Sequence, residues 1–183
     1  IAFAARAVLA DIMASLQIAF AKTARIGDAV LFDGQWCHVE KIGFTHVRLR
    51  TWDDRRIMAP VNEFVSSSFE NWTAKDPSML KPVYLYLDHR ADVGRLREAF
   101  ESFVQDDDDV IKKDEAKVEV VDHDAQAMVL RFVIRGADPT TAWAAHCRMR
   151  EHMLKVAAEA DAAASEAPAP SFLPREREEK LAG

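Results

Sequence analysis

The amino-acid sequence predicts an α+β protein made of an N-terminal helix, a small β-barrel unit and an α/β sandwich. Three observations predict it. Residues 1–21 are alanine-rich and free of glycine and proline. From Asp28 the apolar residues follow the two-residue period of strands. Beyond residue 82, strand and amphipathic helix patterns succeed one another in β-α-β-β-α order.

The first segment, 1–21, has eight alanines together with Ile1, Phe3, Val8, Leu9, Ile12, Met13, Leu16, Ile18 and Phe20. High helix propensity without a breaker gives about five turns. Arg6 and Asp11 are its only charges. A helix apolar around most of its girth is buried against protein or lipid. Its small side chains suit close helix packing, as in membrane bundles. The helical pattern begins at once at Ile1, without a methionine, so the reading expects a piece of a longer chain. No run of 18 apolar residues and no signal-peptide pattern occurs within it.

The second segment, 22–75, contains short runs rich in Val, Ile, Phe and Trp at 28–32, 35–42, 45–51 and 55–59. Asp33-Gly34 and Asp53-Asp54 separate two pairs of them as hairpin turns. Strands this short and closely spaced favour a barrel or rolled sheet, because a flat meander leaves both edges open. After Pro60, a helical turn at 62–65 and a strand at 68–72 complete the unit.

Pro77 and Pro82 mark 74–82 as a boundary. The third segment, 76–160, then gives a strand at 83–87 and a helix at 91–104, with Asp92 favourably placed against the helix dipole. Strands at 117–121 and 127–134 follow, joined by a turn at 122–125, and a helix at 140–160 closes the order. This suits a ferredoxin-like sandwich with both helices on one face of the sheet. Residues 161–183 are alanine, proline and charge, and read as a disordered tail.

Composition narrows the function. Residues 22–75 carry 8 Lys and Arg against 7 Asp and Glu, and residues 76–160 carry 12 against 17. An acidic balance argues against a nucleic-acid partner, which needs a basic surface. Cys37 and Cys147 lack the spacing of a disulfide framework or a zinc site. Cys37 and His38 point to opposite faces of a strand, and His146 and His152 lie six residues apart on a helix. His46, His89 and the pair His123-Asp124 stand apart from these. With no P-loop, dinucleotide fingerprint or zincin motif, we expect no catalytic residue, no metal and no cofactor. The run 106–109, four aspartates, lacks the alternation and central glycine of a calcium loop and reads as a solvated turn.

The most distinctive feature is the junction Lys22-Thr23-Ala24-Arg25-Ile26-Gly27-Asp28. It resembles the R-P-F-R-[V/I]-G-D segment through which the last transmembrane helix of MscS-like mechanosensitive channels enters a small β domain. Arg25, Ile26, Gly27 and Asp28 are in register, whereas Thr23 and Ala24 stand where that family has proline and phenylalanine. The likeness continues in order. Phe32-Asp33-Gly34 falls at the family's hairpin, and Val39-Glu40-Lys41-Ile42-Gly43 at its G-x-V-x-x-I-G strand. Leu49-Arg50-Thr51 with Asp53 is similar to its R-T-x-D-G turn. Pro60 matches the proline of a P-N motif, with Val61 in place of the asparagine and Asn62 one residue later. Asn71-Trp72 resembles the N-[FYW] that ends the domain.

The resemblance implies a homoheptamer in which residues 1–21 hold the lower part of a pore-lining helix beside membrane lipid. Residues 22–183 would lie on the cytoplasmic side of a cell membrane, the inner membrane in a bacterium. Permeating ions and small solutes would be the partners, with opening by tension during osmotic downshock. Aligned on Leu9-Ala10-Asp11, Phe3 falls near the family's lower apolar constriction, where a ring of phenylalanines gates by dewetting. Ala7 stands where the family places a kink glycine, and Arg6 lines the pore mouth or snorkels to headgroups. Arg25, Gly27, Asp28, Gly34, Gly43, Arg50, Pro60 and Asn71 are the motif and assembly candidates. The competing reading is a soluble Sm-like plus ferredoxin-like interaction module that binds RNA or protein. It lacks the stacking aromatics that such sheets use for bases. An enzyme of α+β type would need a convergent polar pocket that no spacing foretells.

Overall fold

The computed structural model describes residues 9–10, 12–14 and 23–163, in a chain that divides into two units, Ile1–Pro77 and Ser78–Gly183. Leu9, Ala10 and residues 12–14 are helical. The rest of the expected N-terminal pore helix, with Phe3, Arg6 and Ala7, lies outside the described residues. No helix among the described residues is long and apolar enough to cross a membrane.

In the first unit, β1 (Ala29–Phe32), β2 (Gln35–Ile42), β3 (His46–Thr51), β4 (Arg56–Pro60), α1 (Val61–Ser66) and β5 (Glu70–Asn71) follow in sequence. The strands form one antiparallel sheet in the order β4-β3-β2-β1-β5. Asp33 and Gly34 both take positive φ, 49° and 71°, as a two-residue hairpin between right-twisted strands requires. Alternation places Cys37 and Val39 of β2 and Val47, Leu49 and Thr51 of β3 inside. Phe64 of α1 caps this core, its ring centroid 5.4 Å from Phe32 and 4.6 Å from Phe69.

Of the expected small barrel or rolled sheet, closure is not seen among the described residues. β4 and β5 are the two sheet edges and do not pair with each other, and β5 is two residues long where a strand over 68–72 was expected. β2 also carries a bulge: the register slips between Val39 and Lys41, making Glu40 the extra residue. Its carboxylate takes Arg48 at 2.7 Å and Arg56 at 3.7 Å, which joins three strands on the outer surface.

The second unit runs β6 (Met79–Leu87), α2 (Val93–Asp106), β7 (Val110–Ile111), a 3-10 turn (Lys113–Glu115), β8 (Lys117–His123), β9 (Met128–Gly136) and α3 (Pro139–Ala163). β9 is central, with β6 along one side and β8 and β7 along the other, all antiparallel to it. Val83, Leu85, Leu87, Leu130, Phe132 and Ile134 share one core with Leu96 and Phe100 of α2 and Met149 and Met153 of α3. Both helices therefore cover the same face, and the α+β class is as expected. Truncating a buried aromatic such as Phe132 would cost about 3–5 kcal/mol.

Three boundaries differ from expectation for physical reasons. β6 starts at Met79 and passes through Pro82, because an edge strand tolerates a residue without an N–H. Asp92 is the N-cap of α2 and accepts from the Arg95 N–H at 3.1 Å. β7 and the 3-10 turn are too short to leave a period in the sequence. The aspartate run is likewise not a plain solvated turn. Arg148 of α3 grips Asp107 at 2.8 and 2.9 Å and Asp109 at 2.6 Å.

Candidate functional site

The residues that carry the chain into the first sheet are tied down by main-chain and carboxylate hydrogen bonds. Gly27 has φ 95°, which turns the chain so that its N–H donates to the Val39 carbonyl at 2.8 Å. Val39 N–H in turn donates to the Asp28 carbonyl at 2.9 Å, which docks the junction on β2. Nothing lies within 4 Å of where a Gly27 Cβ would stand, so glycine is needed there for its backbone conformation and not for space. Asp28 closes the turn, its Oδ2 accepting from Arg25 N–H at 2.9 Å. Arg25 thus enters through its main chain, and its side chain is exposed.

Asn71 reaches the same place from the far edge of the sheet. β5 pairs with β1 in the register Val30↔Asn71. Its amide donates to Asp28 Oδ2 at 2.7 Å and to the Thr23 carbonyl at 3.0 Å. The amide oxygen accepts from Thr73 N–H at 3.0 Å, and the Thr73 hydroxyl accepts from Ala29 N–H at 3.0 Å. One side chain therefore links the incoming segment, the junction turn and the strand that follows. Ala24, 4% exposed, packs into the core beside it.

Arg25, Gly27, Asp28 and Asn71 are thus brought together, whereas the other predicted positions sit elsewhere in the sheet. Gly34 makes the β1–β2 turn, and Gly43 donates its N–H to the His46 carbonyl at 2.9 Å between β2 and β3. Pro60 ends β4 and precedes α1 without a side-chain cap. Arg50 pairs with Asp54 at 3.5 Å on the β3–β4 turn. In that turn the Thr51 hydroxyl and Arg55 Nε both donate to Asp53, and these two bonds, Thr51 first, hold its carboxyl below the usual carboxylate range. Thr73 and Glu40 were not singled out from the sequence. The Asn71-x-Thr73 spacing could have flagged an Asx-turn, but a bulge carboxylate shared by two arginines leaves no local signal.

No group of three or more His, Cys, Asp or Glu side chains poised for a metal occurs among the described residues. The described contacts of this site are main-chain and side-chain hydrogen bonds around a constrained turn ahead of the first sheet.

The antiparallel sheet and the joint that leads into it fall within residues 7–74, which match the family described as "Mechanosensitive ion channel, beta-domain". Over these residues the chain carries a β domain similar to that of MscS-like mechanosensitive channels. It is 31% identical over 74 residues to the miniconductance mechanosensitive channel MscM of Escherichia coli (strain K12). That match takes in 40% of this chain and 7% of MscM. The fold is similar to Helicobacter pylori MscS in its closed state, with a TM-score of 0.73 at 14% identity over 96% of this chain and 68% of that one. It is also similar to Arabidopsis thaliana MSL1, with a TM-score of 0.63 at 15% identity over 86% of this chain and 58% of that one.

Proposed function

We propose that this chain is the cytoplasmic side of a mechanosensitive channel subunit that opens under membrane tension and passes ions and small solutes during osmotic downshock. The observation that carries the reading is the joint itself. Asn71 and Asp28 fix the main chain between Thr23 and Asp28 to the sheet, and a helix that must hold its place under load needs such an anchor. In this reading residues 1–21 hold the lower part of the pore lining, with Phe3 as an apolar gate, Ala7 at the bend and Arg6 at the pore mouth or the lipid headgroups. The subunits form a homoheptamer, residues 22–75 make a ring below the membrane, and residues 76–160 make a cage on its cytoplasmic side. The activity is ion conduction and not catalysis.

Patch recordings of the full-length parent in liposomes under suction test this. A pressure-activated conductance is expected, with a leak or a lowered threshold for Phe3→Ser. A parent protein that gives no pressure-dependent current, or that remains a monomer in native mass measurements, would overturn it.

A further inference from the structure

The two helices of the second unit pack on one face of its sheet, and no described element of that unit covers the other. Along the open face of the edge strand β6 stand Leu80, Tyr84 and Tyr86, 46%, 47% and 58% exposed, with Pro82 between them. Register sets Pro82 opposite Val133 and Tyr86 opposite Val129 on β9, so these valines floor a shallow apolar strip. The charges beside it are already matched: Arg131 pairs with Glu119 and Arg135 with Glu115. A strip bordered by neutralised pairs suits an uncharged, apolar occupant. A strand added along the edge is a poor one, because Pro82 blunts β6.

Such an occupant is present in the same chain. Residues 167–174, Ala-Pro-Ala-Pro-Ser-Phe-Leu-Pro, carry no charge and follow α3 closely. They lie outside the described residues. Three prolines in so short a segment favour polyproline II, which needs no partner strand and suits stacking on aromatic rings. α3 starts beside the end of β9, where Gly136 meets Ala142. Its 25 residues run about 37 Å back along a strand of 9 residues, about 30 Å long. Ala163 therefore stands at the end of the sheet that holds Tyr86. From Ala163 to Pro168 the chain can span about 17 Å, enough to round the sheet when packed layers lie about 10 Å apart. The lengths then agree. Pro168 to Pro174 in polyproline II measures about 19 Å, and Tyr86 to Leu80 along β6 about 20 Å.

We propose that residues 168–174 of this chain dock on the open face of β6, running from Tyr86 toward Leu80, with proline rings on the tyrosines and Phe172 and Leu173 against Pro82 and Leu80. This contact is independent of what the first unit does.

Hydroxyl-radical footprinting of the 183-residue chain, read residue by residue by mass spectrometry, tests the contact. Tyr84 and Tyr86 are expected to oxidise severalfold faster in the variant Pro170→Gly, Phe172→Ser, Leu173→Ser than in the wild type, while the exposed Trp52 of the first unit reacts alike in both. All three changes lie beyond α3 and leave both cores intact. In the reverse direction, Tyr84→Ser with Tyr86→Ser, both at exposed positions, should raise the oxidation of Phe172 severalfold. Tyrosines that react equally with and without the changes at 170–173 overturn the proposal. So does tyrosine protection that disappears on dilution, which would assign the strip to a second copy of the chain.

Discussion

The amide of Asn71 donates to the carboxylate of Asp28 at 2.7 Å, across 43 residues of sequence. Because Asp28 Oδ2 also accepts from Arg25 N–H, and the Asn71 amide also holds the Thr23 carbonyl, removing either side chain unties more than one strand of the joint. Asn71→Asp is isosteric but sets a carboxylate against Asp28 in place of a donor. We expect a loss of about 1–2 kcal/mol in denaturant unfolding, with Asn71→Ser losing less because no like charge is introduced. Equal stability for Asn71→Asp and the wild type would mean that the bond contributes nothing.

Gly27 enters with φ 95° and open space at its Cβ, so the cost of a side chain there is conformational and not steric. Gly27→Ala should lose about 1–2 kcal/mol, the strain of an L-residue in the left-handed region. Gly136 is the opposite case. A Cβ on it would stand 2.4 Å from Ala142 Cα, where the end of β9 meets the first turns of α3. Backbone must move to admit it, and Gly136→Ala should lose about 3 kcal/mol or more. The two glycines are separable by Asn substitution: Gly27→Asn should recover part of its loss, while Gly136→Asn should be worse than Ala. Circular-dichroism melts of the four variants give the ranking.

How much of this was legible in the sequence depends on how far apart the interacting residues lie. Asp33-Gly34 announced its hairpin because the turn's demand for positive φ is met by those two residues alone. The apolar period of β9 and α3 is local in the same sense, and both elements fall close to where the pattern puts them. Arg25, Gly27 and Asp28 stood out as a string, but that Arg25 would serve through its N–H and that Asn71 would close the turn are facts of tertiary placement. Arg148 reaches Asp107 over 41 residues and Asp109 over 39, so a four-aspartate run that looks solvated by composition is partly sequestered. Barrel closure, which is not seen among the described residues, is non-local in the same way: strand count can be read from sequence, while the two-residue length of β5 is set by the pairing it finds.

The Arg148 grip gives a pH prediction. Hydrogen bonds from Arg148 hold the Asp107 carboxyl below its ordinary range, and the side chain is 8% exposed. A depressed carboxylate contributes stability that is complete above the unfolded value of about 4 and disappears as pH falls through the folded one. Asp107→Asn should therefore be less stable than wild type by about 1 kcal/mol at neutral pH, a figure kept small because Arg148 is half in water. The difference should close at the acid end of the range. Urea titrations at a series of pH values check this, and a difference that stays constant down to about pH 3 would assign the loss to packing and not to charge.

Lys112 is the one non-acidic residue other than glycine with positive φ among the described residues, at φ 46° and ψ 55° ahead of the 3-10 turn. Asp33 and Asp54, the other two, belong to a residue type whose short polar side chain suits the left-handed region; lysine has no such relief. Its ammonium lies 3.9 Å from Glu115, a solvent-exposed pair that contributes little. Lys112→Gly should thus raise stability by about 0.5–1 kcal/mol, because the strain relieved exceeds both the lost ion pair and the added freedom of the unfolded chain. Lys112→Ala should not, since alanine keeps the Cβ that causes the strain and gives up the ion pair. Thermal unfolding of the two variants side by side decides it: a gain for glycine with none for alanine assigns the effect to the backbone, and a gain for both would place it in the side chain.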